Sequence, residues 1–242
     1  MKRLVTTIAA FIFVSSAFAL DVSVGLRGTF LYGLGTEDDG AIDMVLGVGD
    51  DSDATITESA LNPCFSGGGG LYVNLDFLKV GPGSLGAQLE GNYFYSFGPF
   101  PVESAKWPGL GGLYVTDISQ IMYSFIEVPI LVTYKFSVGK RCSISLGVGP
   151  MISIPFNGSR HIYGYASGTP SEKTIELEMN GVNFGVLGDV TFGVRLGPGN
   201  ITLNARYGSD FTSTSYKDDS GNVKPLFIRR GLSTSLGYEL VL

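Results

Sequence analysis

The sequence predicts an all-β chain folded as an eight-stranded antiparallel up-and-down transmembrane β-barrel. Three observations point there. Eight segments alternate apolar residues with small or polar ones, the period of two of a half-buried strand. The connections between them alternate long and short without exception, as in barrels with tight turns at one rim and long loops at the other. The large aromatics of the apolar face gather near the strand ends, which describes two aromatic girdles.

The chain begins with Lys2 and Arg3, an apolar stretch from Leu4 to Val14, and Ala17-Phe18-Ala19. This reads as a signal peptide over residues 1–19, cleaved after Ala19. The run is too short for the ~20 apolar residues of a spanning helix. The barrel domain is then residues 20–242. Without Lys2 and Arg3 it holds 14 basic and 22 acidic residues, a net charge of −8. Nucleic acid is excluded as a partner, because its phosphates call for basic surface. With 44% hydrophobic and only 16% charged residues, the chain is not disordered.

The first strand is Val22 to Leu34. A long connection, Gly35 to Phe65, follows with eight acids and no Lys or Arg. The second strand is Gly67 to Leu78, and the turn Lys79–Ser84 leads to the third, Leu85 to Phe97. A Gly- and Pro-rich connection holds the single Trp, Trp107. The fourth strand is Met122 to Phe136. After the turn Ser137–Arg141 comes the fifth, Cys142 to Phe156. The third long connection, Asn157 to Gly181, alternates weakly at its flanks, as a hairpin standing above the barrel would. The sixth strand is Val182 to Leu196, the turn is Gly197–Asn200, and the seventh strand is Ile201 to Phe211. A last long connection leads to the closing strand, Ile228 to Leu242. Each strand exceeds the ~9–11 residues needed to cross a bilayer when tilted.

Alternation alone does not say which face points out, since a lipocalin-like barrel also has eight strands. The aromatics decide it. Phe77, Tyr134, Phe136 and Tyr238 sit at the turn ends, and Tyr32, Tyr95, Phe97, Phe156 and Phe211 at the loop ends. The opposite face is Gly, Ser, Thr, Asn and charges, which suits a narrow eight-strand interior.

Ile126-Glu127-Val128-Pro129-Ile130-Leu131-Val132-Thr133-Tyr134-Lys135-Phe136, with Leu146-Gly147-Val148-Gly149-Pro150, resembles the PorT-like small outer-membrane β-barrel family. The architecture is similar to OmpA/OmpX-like eight-stranded barrels. Ser235-x-Gly237-x-x-Leu240-x-Leu242 resembles the terminal signal by which such proteins are recognised for insertion, with Leu242 where that family has Phe or Trp. The resemblance implies the outer membrane of a didermal bacterium, and an even strand count places both termini on the periplasmic side. It implies outer-membrane lipid and the barrel-assembly machinery as partners, and no fixed activity.

Five charged residues fall near mid-strand on the polar face: Arg27, Glu90, Glu127, Asp189 and Arg206. Asp76, Lys135, Arg195 and Glu239 fall nearer the turn end. Mixed signs in a narrow interior pair with each other, because an unpaired buried charge is costly. Counting from the Gly197–Asn200 turn puts Asp189 opposite Gly208, with Arg206 as its diagonal neighbour and a two-pronged partner. Counting from the Ser137–Arg141 turn puts Pro129 opposite Gly149, where a β-bulge or an ordered lumen water is expected.

Other candidates have plainer explanations. Asp50, Asp51, Asp53 and Glu58 could hold a divalent cation, but lack EF-hand spacing and read as a solvated acidic loop. His161 stands near Ser159 without the carboxylate or signature of acyl transfer. Cys64 and Cys142 lie at opposite barrel ends, too far apart to bridge. No catalytic, cofactor or metal site is expected. The expectation is a non-enzymatic barrel that presents four extracellular loops to envelope or surface partners. The alternative is a narrow channel or carrier for small solutes or hydrophobic molecules.

Overall fold

The computed structural model describes residues 21–37, 62–101, 105–106, 114–115, 118–166, 169–217, 221 and 223–242. The strands are β1 (Asp21–Glu37), β2 (Asn62–Val80), β3 (Gly83–Pro101), β4 (Ala105–Lys106), β5 (Tyr114–Val115), β6 (Ile118–Val138), β7 (Cys142–Ala166), β8 (Thr169–Asn180), β9 (Asn183–Leu196), β10 (Gly199–Asp210), β11 (Thr214–Lys217) and β12 (Val223–Val241). The leader, the acidic residues 50–58 and Trp107 lie outside the described residues.

Ten strands form one closed antiparallel sheet, and β4 and β5 pair with each other. At the end with the short turns, the ring runs β1-β2-β3-β6-β7-β9-β10-β12 and closes through β1–β12. Toward the other end, the loop end, β8 takes the place of β9 and β11 that of β10. Thus β8–β9 and β10–β11 are two long strands, each broken once, and the barrel is eight-stranded as the sequence predicts.

The breaks fall at one level. Asn157 of β7 has φ 50°, beside a register shift in the β6–β7 ladder. Gly181, between β8 and β9, has φ 94°. The β11–β12 ladder shifts register at Thr214/Ser215, just beyond the break after Asp210. Bulges and kinks collect at barrel rims, where a strand changes its aim. The outward face also changes character here. Below the breaks it shows Phe184, Val186, Val190, Phe192 and Val194, all exposed. Above them it shows exposed Glu172, Thr174, Glu176 and Glu178, with Lys217 paired to Glu178. The third long connection is the hairpin that its flanks suggest, and it continues the wall: β7 and β8 run on beyond the apolar band, paired as far as Ala166 and Thr169.

The turns are tighter than the sequence predicts. Val80 pairs with Gly83, Val138 with Cys142, and Leu196 with Gly199. Gly81 and Gly197 take φ 57° and 63° ahead of Pro82 and Pro198. A two-residue hairpin whose first turn residue has positive φ calls for glycine there. The predicted turns 137–141 and 197–200 were each two residues too long on the register count, so two expectations shift, while Leu78 pairs with Leu85 as the turn 79–84 implies. Arg206 pairs directly with Asp189, not diagonally. Pro129 pairs with Met151 rather than Gly149. The register is the same at Val132–Val148, so no bulge separates them. The two prolines face apart, Pro129 buried inward and Pro150 exposed.

An apolar band surrounds the sheet. Leu26, Leu71, Val132, Val148, Leu203, Leu232 and Leu236 are each more than half exposed on it. At the loop end Phe65 joins Phe30, Tyr32 and Phe97 in a row of rings with centroids 5.4–6.2 Å apart. At the turn end Tyr134 donates its hydroxyl to Val80 O at 3.0 Å, and Tyr238 donates to Leu196 O at 3.1 Å. Each ring lies across a neighbouring glycine, Gly83 or Gly199, where a Cβ would come within 3 Å of it.

Candidate functional site

The inward face of the barrel is the site to build, because the predicted charged residues all project there. Arg27, Glu90, Glu127, Asp189 and Arg206 are all buried. Their positions follow from strand parity alone: each shares its face with neighbours two residues away that are also buried, such as Gln88 and Asn92 beside Glu90.

Glu90 on β3 is the centre of the middle layer. Arg206 on β10, the strand directly across the ring, donates Nη1 to Glu90 Oε2 at 2.7 Å and Nη2 to Oε1. The same guanidinium donates Nε to Asp189 Oδ2 at 2.9 Å. The fork is thus shared between two carboxylates, not spent as two prongs on Asp189. Arg27 adds a second cation 3.0 Å from Glu90 and lies 4.2 Å over the Tyr72 ring. Tyr72 itself packs on Gly25, where a Cβ would fall 2.1 Å from the ring. Gln88 and Asn92 donate their amides to Glu90.

Glu127 does not join this layer. It meets Arg229 of β12, again across the ring, at 2.9 Å. Arg229 also donates to Ser153 Oγ at 2.7 Å, pairs with Asp210 at 3.3 Å, and lies 4.3 Å over the Phe125 ring. Arg229 and Asp210 are missing from the predicted cluster, although each lies on the polar face of its strand and parity alone could have found them. A third cross-ring pair stands nearer the turn end. Lys135 of β6 meets Glu239 of β12 at 3.0 Å, and Asn74 and Asn200 donate to the same carboxylate. Of the other turn-end residues, Asp76 is buried and Arg195 is exposed on the rim.

Above the ion pairs the interior turns apolar, contrary to the expectation of a wholly polar lumen. Phe94, Ile121, Tyr123, Phe125, Leu177 and Tyr216 form a buried cluster, with Ile175 and Met179 against it. Phe94 and Phe125 stack at 4.9 Å and Phe125 and Tyr123 at 5.6 Å. This follows from the change of outward face: where a strand rises past the apolar band with polar residues outside, its apolar residues have only the interior to fill. Gly158 makes room, since a Cβ there would meet Met179 Sδ at 2.6 Å.

Among the described residues, two cavities lie at the turn end. A cavity of about 370 Å³ opens at the mouth, and beyond it a cavity of about 20 Å³ is lined by Arg27, Tyr72, Lys135, Asn204 and Glu239. Three cross-ring ion pairs and an apolar cap thus occupy the axis. Glu90, Glu127, Asp189, Asp210 and Glu239 each have a guanidinium or ammonium partner. His161 stands on the outer face of β7, its Nδ1 3.0 Å from Thr174 Oγ1. Cys64 and Cys142 are both free thiols.

No protein-family model matches the chain, and no curated protein matches it. Among solved structures it is similar to the outer membrane protein OprG from Pseudomonas aeruginosa, at 13% identity over 91% of this chain and 95% of that one, with a TM-score of 0.46. It is similar to the outer membrane protease OmpT from Escherichia coli, at 8% identity over 93% and 97%, with a TM-score of 0.46. It is also similar to Ail, the attachment invasion locus protein of Yersinia pestis, at 10% identity over 92% and 99%, with a TM-score of 0.37; that structure holds the heparin analogue sucrose octasulfate. The eight-stranded barrel stated above rests on the hydrogen-bonded register of this chain itself.

Proposed function

We propose that the protein is a non-enzymatic outer-membrane barrel. Its wall is an anchor, and its working surface is the loop end, which contacts envelope components, other cells or host molecules. The observation that carries this reading is the filled axis. Lys135–Glu239, Arg206–Glu90 and Arg229–Glu127 each join opposite sides of the ring, and the apolar cluster lies beyond them. A barrel closed in this way has no path for a solute, so the alternative of a narrow channel or carrier gains nothing from its interior. The exposed apolar band and its aromatic rims support the membrane setting, since soluble proteins rarely show so large a contiguous apolar surface.

The same proposal puts the short turns and both termini in the periplasm, the leader at residues 1–19, and the kinship with PorT-like barrels on residues 126–136 and 146–150. The test is labelling of intact cells. Tags inserted beside Asp51 and beside Asp219 are expected to react with an impermeant reagent. Labelling of a tag in the turn 197–200 in their place would overturn the topology.

A further inference from the structure

We infer that the mouth of the barrel at its turn end is a binding site for a small anion that presents phosphate or carboxylate oxygens. The mouth is a cavity of about 370 Å³ between the three short turns. Four cations line it: Lys79 after β2, Lys140 and Arg141 in the β6–β7 turn, and Arg195 at the end of β9. Among the described residues none of the four is within ion-pair distance of a carboxylate. The lumen behind them behaves otherwise, since Arg27, Lys135, Arg206 and Arg229 all have acidic partners there.

The backbone holds these cations together. Arg195 N–H donates to Arg141 O at 2.8 Å, which ties the end of β9 to the neighbouring turn and brings the two arginines side by side. Lys79 arrives from the far side of the mouth on a two-residue hairpin fixed by Gly81 and Pro82. The acids on the wall are Asp76, which is buried, and Asp21, which is exposed. Lys135, the fifth cation lining the cavity, is already bound to Glu239. The chain as a whole carries a net charge of −6, so this gathering does not reflect composition.

The chemistry selects the class of ligand. Two guanidinium groups on residues joined by a backbone hydrogen bond offer paired N–H donors, which match the oxygens of phosphate or carboxylate. Ser84, Ser137 and Ser143 add hydroxyls to the wall. Deeper in, Arg27 is among the residues that line the small inner cavity. Lodged in a concave mouth, such an anion would meet charge from three sides at once. The periplasmic origin of the anion rests on the proposed topology; binding itself does not.

The test uses the full mature chain refolded in an uncharged, phosphate-free detergent. Inorganic phosphate is titrated against the backbone amide spectrum, with chloride held constant. Saturable shifts are expected at Gly81, Gly139 and Gly197. The Arg141→Gln/Arg195→Gln double variant is expected to weaken the apparent affinity at least tenfold, while Lys217→Gln at the opposite end leaves it unchanged. Nanodiscs of phosphatidylcholine, with and without phosphatidylglycerol, separate the sources. The same shifts with phosphatidylglycerol alone would assign the site to a lipid headgroup, and shifts only on adding phosphate would assign it to a soluble anion. Non-saturating shifts, or equal affinity in a folded double variant, would overturn the site. Neither result depends on which way the barrel faces, so its failure is separable from a failed labelling experiment.

Discussion

Glu90 accepts hydrogen bonds from Arg206, Gln88 and Asn92 and stands 3.0 Å from Arg27, all in the buried interior. Removing one partner of a buried ion pair leaves the other charge uncompensated, typically at about 3–5 kcal/mol. Glu90→Gln takes the carboxylate partner from Arg27 and leaves Arg206 with Asp189 alone, and is expected to cost about that much, read as a lower denaturant midpoint for the barrel refolded into vesicles. An unchanged midpoint would mean that the middle layer contributes no stability. Asp189→Asn is expected to cost less, because Arg206 keeps its two bonds to Glu90. At Gly181 the strain is in the backbone. Its φ of 94° is rarely open to an L side chain, so Gly181→Ala is expected to cost about 1–3 kcal/mol in the same assay. Gly67→Ala, at a position where a Cβ meets nothing within 4 Å, is the matched control.

At the scale of elements, β12 closes the ring by pairing with β1 along one edge and with β10 and β11 along the other. Deleting residues 238–242 removes Leu26–Tyr238, Ile201–Tyr238 and the pairs below them, along with Glu239, the partner of Lys135. The truncated chain is expected to accumulate unassembled and protease-sensitive, and normal membrane levels would show that this end of β12 is dispensable for assembly. The strands were the most legible part of the chain, and the register errors explain why the site was legible too. The turns 137–141 and 197–200 were each counted two residues too long. A shift of two keeps every side chain on its own face, since the strand period is two. Arg206 therefore still met Asp189, as a direct neighbour rather than a diagonal one. What parity could not supply was the partner across the barrel. That Arg206 reaches Glu90, or Arg229 reaches Glu127, depends on which strands stand opposite each other once the ring has closed.

At the scale of the molecule, the least legible feature was the change of inside and outside along the axis. Leu177, Met179 and Tyr216 alternate with Glu176, Glu178 and Lys217 much as strand residues within the band do. In the band the apolar face points out; past Asn157 and Gly181 it points in. A period of two carries no sign, so the same alternation describes both, and residues 157–181 read as a long connection with a hairpin at its flanks rather than as wall. The consequence is an interior sealed twice, by ion pairs at three levels and by an apolar cluster above them. Eight strands leave room only for side chains, whereas barrels of roughly 16 strands hold a water channel. Planar-bilayer recording of the refolded protein tests this most directly, with Asp189→Ala and Arg206→Ala recorded beside it. The unmodified protein is expected to show no steady open-pore current. Steady conductance on the scale of a porin would contradict the sealed barrel and put the channel in place of the anchor.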